Sequence, residues 1–150
     1  NETAFTEQEI SGYKLFQKNC SACHKEPLFT TTDFANNGLA VDTTLNDFGR
    51  MIISTDPNDS LKFKIPTLRN VEYSYPYMHD GRFKNLDEVL EHYSKGIQHT
   101  ANLDERLKEN GQARKMNISS TDKKALIAFL HTLTDYDVLT HPRFSNPFSN

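Results

Sequence analysis

Cysteine is scarce in this chain: two of 150 residues, Cys20 and Cys23. With no second pair, a zinc site would need two further ligands from elsewhere, and the nearest later histidine is His79. Long apolar runs are missing. No stretch of about 18 consecutive apolar residues occurs, so nothing is expected to span a membrane. Excess positive charge is missing too. Seventeen Lys and Arg face 20 Asp and Glu, a net charge of -3 that argues against a nucleic-acid partner. No internal repeat, low-complexity tract or alternating strand pattern is present. Hydrophobic residues make up only 36% of the chain. That is little for a self-sufficient core of one domain, which the length otherwise fits.

The two cysteines stand in Cys20-Ser21-Ala22-Cys23-His24. The spacing C-x-x-C-H reads as a c-type haem attachment site. Two thiols three positions apart can each add to one vinyl group of the same porphyrin, and the following histidine supplies an axial nitrogen. A thioredoxin-like pair would follow a strand in a βαβ pattern, and none precedes Cys20. A buried haem would also supply the apolar surface that the composition lacks. Covalent attachment takes place outside the bacterial cytoplasm. The chain is therefore expected to be periplasmic or otherwise exported, its export signal removed or left off.

Thr6 with Glu9 forms a capping box that opens a helix over 7–19, running straight into Cys20. A haem motif closing an amphipathic N-terminal helix is the arrangement of a cytochrome c. Gly12 shares a face with Phe16 and Cys20 and predicts a close crossing with the last helix near Leu126, Phe129 or Leu130. Residues 25–65 show no sustained helical period and are read as a loop that wraps the haem. A short helix is predicted over 66–71 with Pro66 at its first position. Another is predicted over 86–95, with Leu86, Val89, Leu90 and Tyr93 on one face and Gly96 as cap. Residues 103–110 suggest a short polar helix. Residues 120–133 give the clearest helix, with Ala125, Leu126, Phe129, Leu130 and Leu133 in one stripe behind Ser119 and Asp122. The expected fold is all-α: one cytochrome c-like domain over 1–150, its core about 5–134, with long haem-wrapping loops and an extended tail over 135–150.

Several longer strings carry a resemblance. Gly12-Tyr13-Lys14-Leu15-Phe16 precedes the haem motif. Pro27-Leu28-Phe29-Thr30, Phe34-Ala35-Asn36-Asn37-Gly38-Leu39 and Asp47-Phe48-Gly49-Arg50 follow it. Phe63 to Val71, Pro76-Tyr77-Met78-His79-Asp80-Gly81-Arg82-Phe83 and Leu126 to Thr134 complete the set. Together they resemble the C-terminal haem domain of bacterial di-haem cytochrome c peroxidases and MauG-type enzymes. The resemblance implies an electron-relay haem c, one per chain. Its partners would be an N-terminal domain whose haem reduces hydrogen peroxide and a small redox protein as electron donor. With no tryptophan in the chain, the tryptophan that lies between the two haems in that family would come from the other domain. The resemblance also implies a calcium ion between the domains, held partly by the carbonyls of Ser74 and Pro76. The alternative is a stand-alone mono-haem electron carrier.

His24 is the first axial ligand in either reading. Met78, Tyr93, His92, Met51 and Met116 are candidates for the opposite face. Met78 lies 54 residues after His24, a spacing that suits a small His/Met cytochrome. In the peroxidases the ligand is a methionine on the helix after the His-x-Gly turn, a position that falls on Tyr93 here, and MauG-type proteins have tyrosine there. The resemblance therefore favours Tyr93, with Met78 second. A plain core role for Tyr93, seven residues after Leu86, is the competing reading, and His92 is expected to be solvated. Arg69, Arg50 and Lys64 are candidates to pair with haem propionates. His79 would contact a propionate or shape the turn at Gly81.

Overall fold

The computed structural model describes residues 4–148. Helix α1, Glu7–Asn19, starts at the capping box: the Thr6 hydroxyl accepts from the Glu9 N–H at 3.2 Å, and the Glu9 carboxylate accepts from the Thr6 N–H at 2.6 Å. Helix α4, Ser120–His131, is capped by Ser119, which accepts from the Asp122 N–H. The two helices cross at Gly12. A Cβ there would lie 2.0 Å from the Ala125 carbonyl oxygen and 2.8 Å from Phe129 Cβ, so only glycine permits this approach.

The main core forms around that crossing. Phe16, fully buried, meets Leu126, Phe129, Leu130, Val71, Leu86 and Leu90. The rings of Tyr13 and Phe16 lie 5.2 and 5.1 Å from Phe129, within the range of favourable tilted contacts. A second, smaller cluster of Ile97, Leu103 and Leu107 takes Tyr93, Ala113 and Met116 against it.

The 25–65 stretch is irregular apart from short pieces. Helix α2 is Met51–Ser54, and β1, Phe34–Ala35, pairs antiparallel with β2, Phe63–Lys64. A second antiparallel pair joins β3, Lys108–Glu109, to β4, Gln112–Ala113. The fold is therefore mostly helical with two small β pairs, rather than free of strands. Asn110 and Gly111, both at positive φ, make the hairpin turn.

Four local expectations are corrected. Residues 66–71 do not form a helix, because their polar groups reach across to another loop. Thr67 Oγ1 donates to the Leu28 carbonyl at 2.6 Å, and the Leu68 N–H donates to the Phe29 carbonyl. A single 3-10 turn, Val71–Tyr73, follows instead. Helix α3 is α-helical only over Leu86–Glu91 and widens into a π turn over His92–Gly96, so Gly96 sits inside a helical turn rather than capping one. The 103–110 stretch holds one 3-10 turn, Glu105–Leu107, before β3. The tail is exposed as expected but not extended. It folds into α5, Tyr136–Thr140, started by the Asp135 side chain, and a 3-10 turn, Pro142–Phe144.

Candidate functional site: the Cys20–His24 turn and the wall opposite it

Helix α1 ends at Cys20, whose N–H still donates to Phe16 O at 2.7 Å. The chain then closes a tight turn: the N–H groups of Cys23 and His24 both donate to Cys20 O, at 3.1 and 2.9 Å. Both thiols are free and half-buried. Burial pushes the Cys20 thiol up to about 12. It raises Cys23 as well, with Arg106 pulling the other way.

The His24 ring is fixed by two backbone carbonyls. Its Nδ1 lies 3.2 Å from Phe29 O and 3.1 Å from Pro66 O. Nδ1 therefore carries the proton, and Nε2 presents a lone pair. Burial holds the imidazole below its ordinary value, so it stays neutral near pH 7. Two thiols and one neutral imidazole with its far nitrogen committed to backbone are the donor set of a covalent haem, and the residues fit that group.

The π turn over His92–Gly96 carries Tyr93. The wider winding turns it off the Leu86–Leu90 face and into the Ile97–Leu103–Leu107 cluster. Tyr93 is thus not the continuation of the α3 core stripe. Burial raises its hydroxyl to about 12, against a lowering influence of Asn37. Asn37 Nδ2 donates to Met78 Sδ at 3.5 Å. Met116 packs against the same Ile97–Leu103–Leu107 cluster as Tyr93, while Met51 begins α2. His92 is 6% exposed, with Nε2 3.1 Å from the Asn37 carbonyl. The expectation of a solvated His92 is corrected, because the π turn draws it inward.

The other candidates scatter. His79 stacks on Phe63 with ring centroids 3.8 Å apart. Arg50 pairs with Asp59 at 2.8 Å and covers the Phe34 ring. Arg69 is exposed. Lys64 Nζ donates to Thr30 Oγ1 and Ile65 O. Ser74 and Pro76 lie on an exposed turn, next to Tyr73 and Tyr75, which are 48% and 65% exposed. Among the described residues, no group of three or more His, Cys, Asp or Glu side chains gathers as a metal site would.

Sequence reading missed the cations nearest the turn. Arg106 reaches Ala22 O and Asp33 at 3.3 Å and is held by Asp104 at 2.8 Å. Arg114 donates to Asn19 at 3.0 Å. The β3–β4 hairpin delivers both, and its Asn110-Gly111 turn was the available signal.

A helix that ends in two thiols and an oriented imidazole, crossed by α4 at a glycine, defines a c-type cytochrome domain. The chain belongs to the cytochrome c family, whose model matches residues 10–134. Its relatives are di-haem cytochrome c peroxidases and MauG proteins. It is 29% identical over 160 residues to the cytochrome-c peroxidase IdrP2 of Denitromonas iodatirespirans, covering 88% of this chain and 41% of that one. It is 33% identical over 137 residues to the methylamine utilization protein MauG of Methylorubrum extorquens, covering 89% and 36%. A solved MauG-like protein associated with microbial copper homeostasis superposes with a TM-score of 0.77 at 32% identity, over 99% of this chain and 53% of that one. The diheme peroxidase BthA from Burkholderia thailandensis shares the fold, with a TM-score of 0.67 at 23% identity over 89% and 44%. The chain thus spans well under half the length of the curated relatives named here. Among the described residues, no helix is long and apolar enough to cross a membrane.

Proposed function

We propose that this chain is the electron-relay haem domain of a di-haem peroxidase- or MauG-type oxidoreductase. One haem c is bound through Cys20 and Cys23, with His24 as first axial ligand. The domain passes electrons from a small redox protein to a peroxide-reducing haem in an N-terminal domain, in the periplasm or another exported location. The observation that carries this reading is the committed Nδ1 of His24. It leaves Nε2 for iron in a fold that aligns with one part of longer two-haem relatives. The irregular 25–65 stretch would wrap the haem, and Arg69, Arg50 and His79 would be the residues to hold its propionates. Calcium held by Ser74 and Pro76 would belong to the junction between the two domains.

Tyr93 is the sixth ligand in this reading. A phenolate stabilises ferric iron and lowers the potential, whereas a thioether favours ferrous iron and raises it. The alternative is a stand-alone His24/Met78 electron carrier, in which the Met78 sulfur, a partner of the Asn37 amide here, would turn to the iron.

The test is co-expression with haem-attachment machinery. The expected product gains the mass of one haem, which survives denaturation and is lost in Cys20→Ser/Cys23→Ser. Its electron paramagnetic resonance and near-infrared spectra change in Tyr93→Phe and not in Met78→Leu. A methionine-to-iron charge-transfer band that is lost in Met78→Leu and kept in Tyr93→Phe would establish the carrier instead.

A further inference from the structure

An open groove of about 460 Å³ runs along α3 and its π turn, within the size range of small-molecule sites. None of Cys20, Cys23, His24, Met78 or Tyr93 lines it. Its apolar walls come from Leu39 and Ala40 on one side and Phe83 on the other. His92 is the one buried polar side chain that lines it, its ring 6.1 Å from that of Phe83. His92 Nε2 lies 3.1 Å from the Asn37 carbonyl. A carbonyl only accepts, so Nε2 carries the proton and Nδ1 of the neutral ring keeps a lone pair. Gly96 leaves that lone pair uncovered, since a Cβ there would lie 3.3 Å from Nδ1. Gly96 is not among the glycines at positive φ, so its backbone conformation does not call for glycine. Glycine inside a helical turn is otherwise costly, and the open space over His92 is what it provides.

The charged residues of the rim differ in their commitments. Arg82 donates to Asp80 from both Nε, at 2.7 Å, and Nη2. Lys95 pairs with Glu91 at 3.4 Å, and Glu91 is also held by Lys123. Glu88 is different. It is half-buried and accepts from the Lys84 N–H at 2.7 Å, a main-chain donor without charge. Among the described residues, no cation pairs with it. Glu88 stands four residues before His92, so the two side chains are neighbours on one helical face. The groove thus combines apolar walls with two adjacent acceptors, one of them an anion lacking a counter-charge.

We propose that this groove binds a small organic amine with an apolar body. The ammonium donates to the Glu88 carboxylate and to His92 Nδ1, and the body lies on Leu39, Ala40 and Phe83. An ammonium carries several donors and one positive charge, which answers both acceptors at once. An anion would meet the Glu88 charge while the rim cations are already taken. A wholly apolar molecule would cover two acceptors and pair neither, at a desolvation cost. The site uses none of the residues that the proposed function assigns to haem, so it stands apart from that reading.

The test titrates the haem-loaded chain with 2-phenylethylamine by calorimetry. Saturable binding is expected. Phenylacetate, with the same body and the opposite charge, should bind at least about tenfold more weakly. Glu88→Gln keeps an acceptor for the Lys84 N–H but loses the charge. It should weaken amine binding about tenfold or more, as loss of a charge-assisted hydrogen bond predicts. Gly96→Ala covers Nδ1 and should weaken it about fivefold, the worth of an ordinary hydrogen bond. Thermal unfolding reports that each variant is folded. Amines also ligate iron, so the Soret band is followed during the titration and should not move. Absence of saturable binding, equal binding of phenylacetate, or wild-type affinity in both folded variants would overturn the inference. So would a Soret shift that tracks the titration, because it would put the amine on the iron. The first three of these outcomes leave the haem-domain reading untouched.

Discussion

Asn36 is 2% exposed and still satisfies its amide. Nδ2 donates to Thr100 Oγ1 and Asn102 Oδ1, and Oδ1 accepts from the Gly38 N–H at 2.9 Å. This network joins the loop that presents Asn37 to the 97–104 segment. Asn36→Ala would strand the Gly38 N–H and the Thr100 and Asn102 side chains, since a buried group without its partner costs its full desolvation. The expected loss is roughly 2 kcal/mol, read by urea unfolding. Asp104 gives a second residue-scale prediction. The hydrogen bond from Arg106 holds its carboxyl below the ordinary value of 3.8, against the opposing effect of burial. The unfolded chain therefore binds this proton more readily than the folded one. The stabilisation is complete above that ordinary value and is lost as pH falls through the lower folded value. Stability should drop more steeply below about pH 4 in the wild type than in Asp104→Asn, as urea midpoints across that range would show. Neither Asn36 nor Arg106 announced its role in sequence. Asn36 acts through Thr100 and Asn102, and Arg106, besides its neighbour Asp104, reaches Ala22 and Asp33; local spacing carries no trace of the remote pairs.

At the scale of elements, legibility follows the range of the forces. Helices α1 and α4 were readable because a cap, a periodic apolar face and a glycine all lie within a few turns of each other. Their crossing predicts that Gly12→Ala costs about 2–3 kcal/mol, measured by thermal or denaturant unfolding, since neither the Ala125 carbonyl nor Phe129 Cβ can retreat without moving α4. The 66–71 stretch was misread for the opposite reason. Pro66 opens a helix well in isolation, but here its carbonyl meets His24 and its neighbours bond to 28–29. The π turn also escaped. An α-periodic stripe through Tyr93 is what the residues suggest. The observed winding trades that stripe for a seat against the Ile97–Leu103–Leu107 cluster and brings His92 to the Asn37 carbonyl.

At the scale of the whole molecule, the motif was the most legible part of all, since C-x-x-C-H encodes its chemistry in five residues. What lies opposite it was legible only as a choice between Tyr93 and Met78. That choice depends on how separate loops meet. The closing of the fold has a temporal consequence. The residues that seal α1, Ala125 and Phe129, lie more than a hundred positions downstream of Gly12. Contacts so remote in sequence form late, because the intervening chain must first be brought round. During synthesis the thiols of Cys20 and Cys23 emerge long before the helix that completes the core behind them. Until α4 arrives, the turn that carries the two thiols has no packed core at its back.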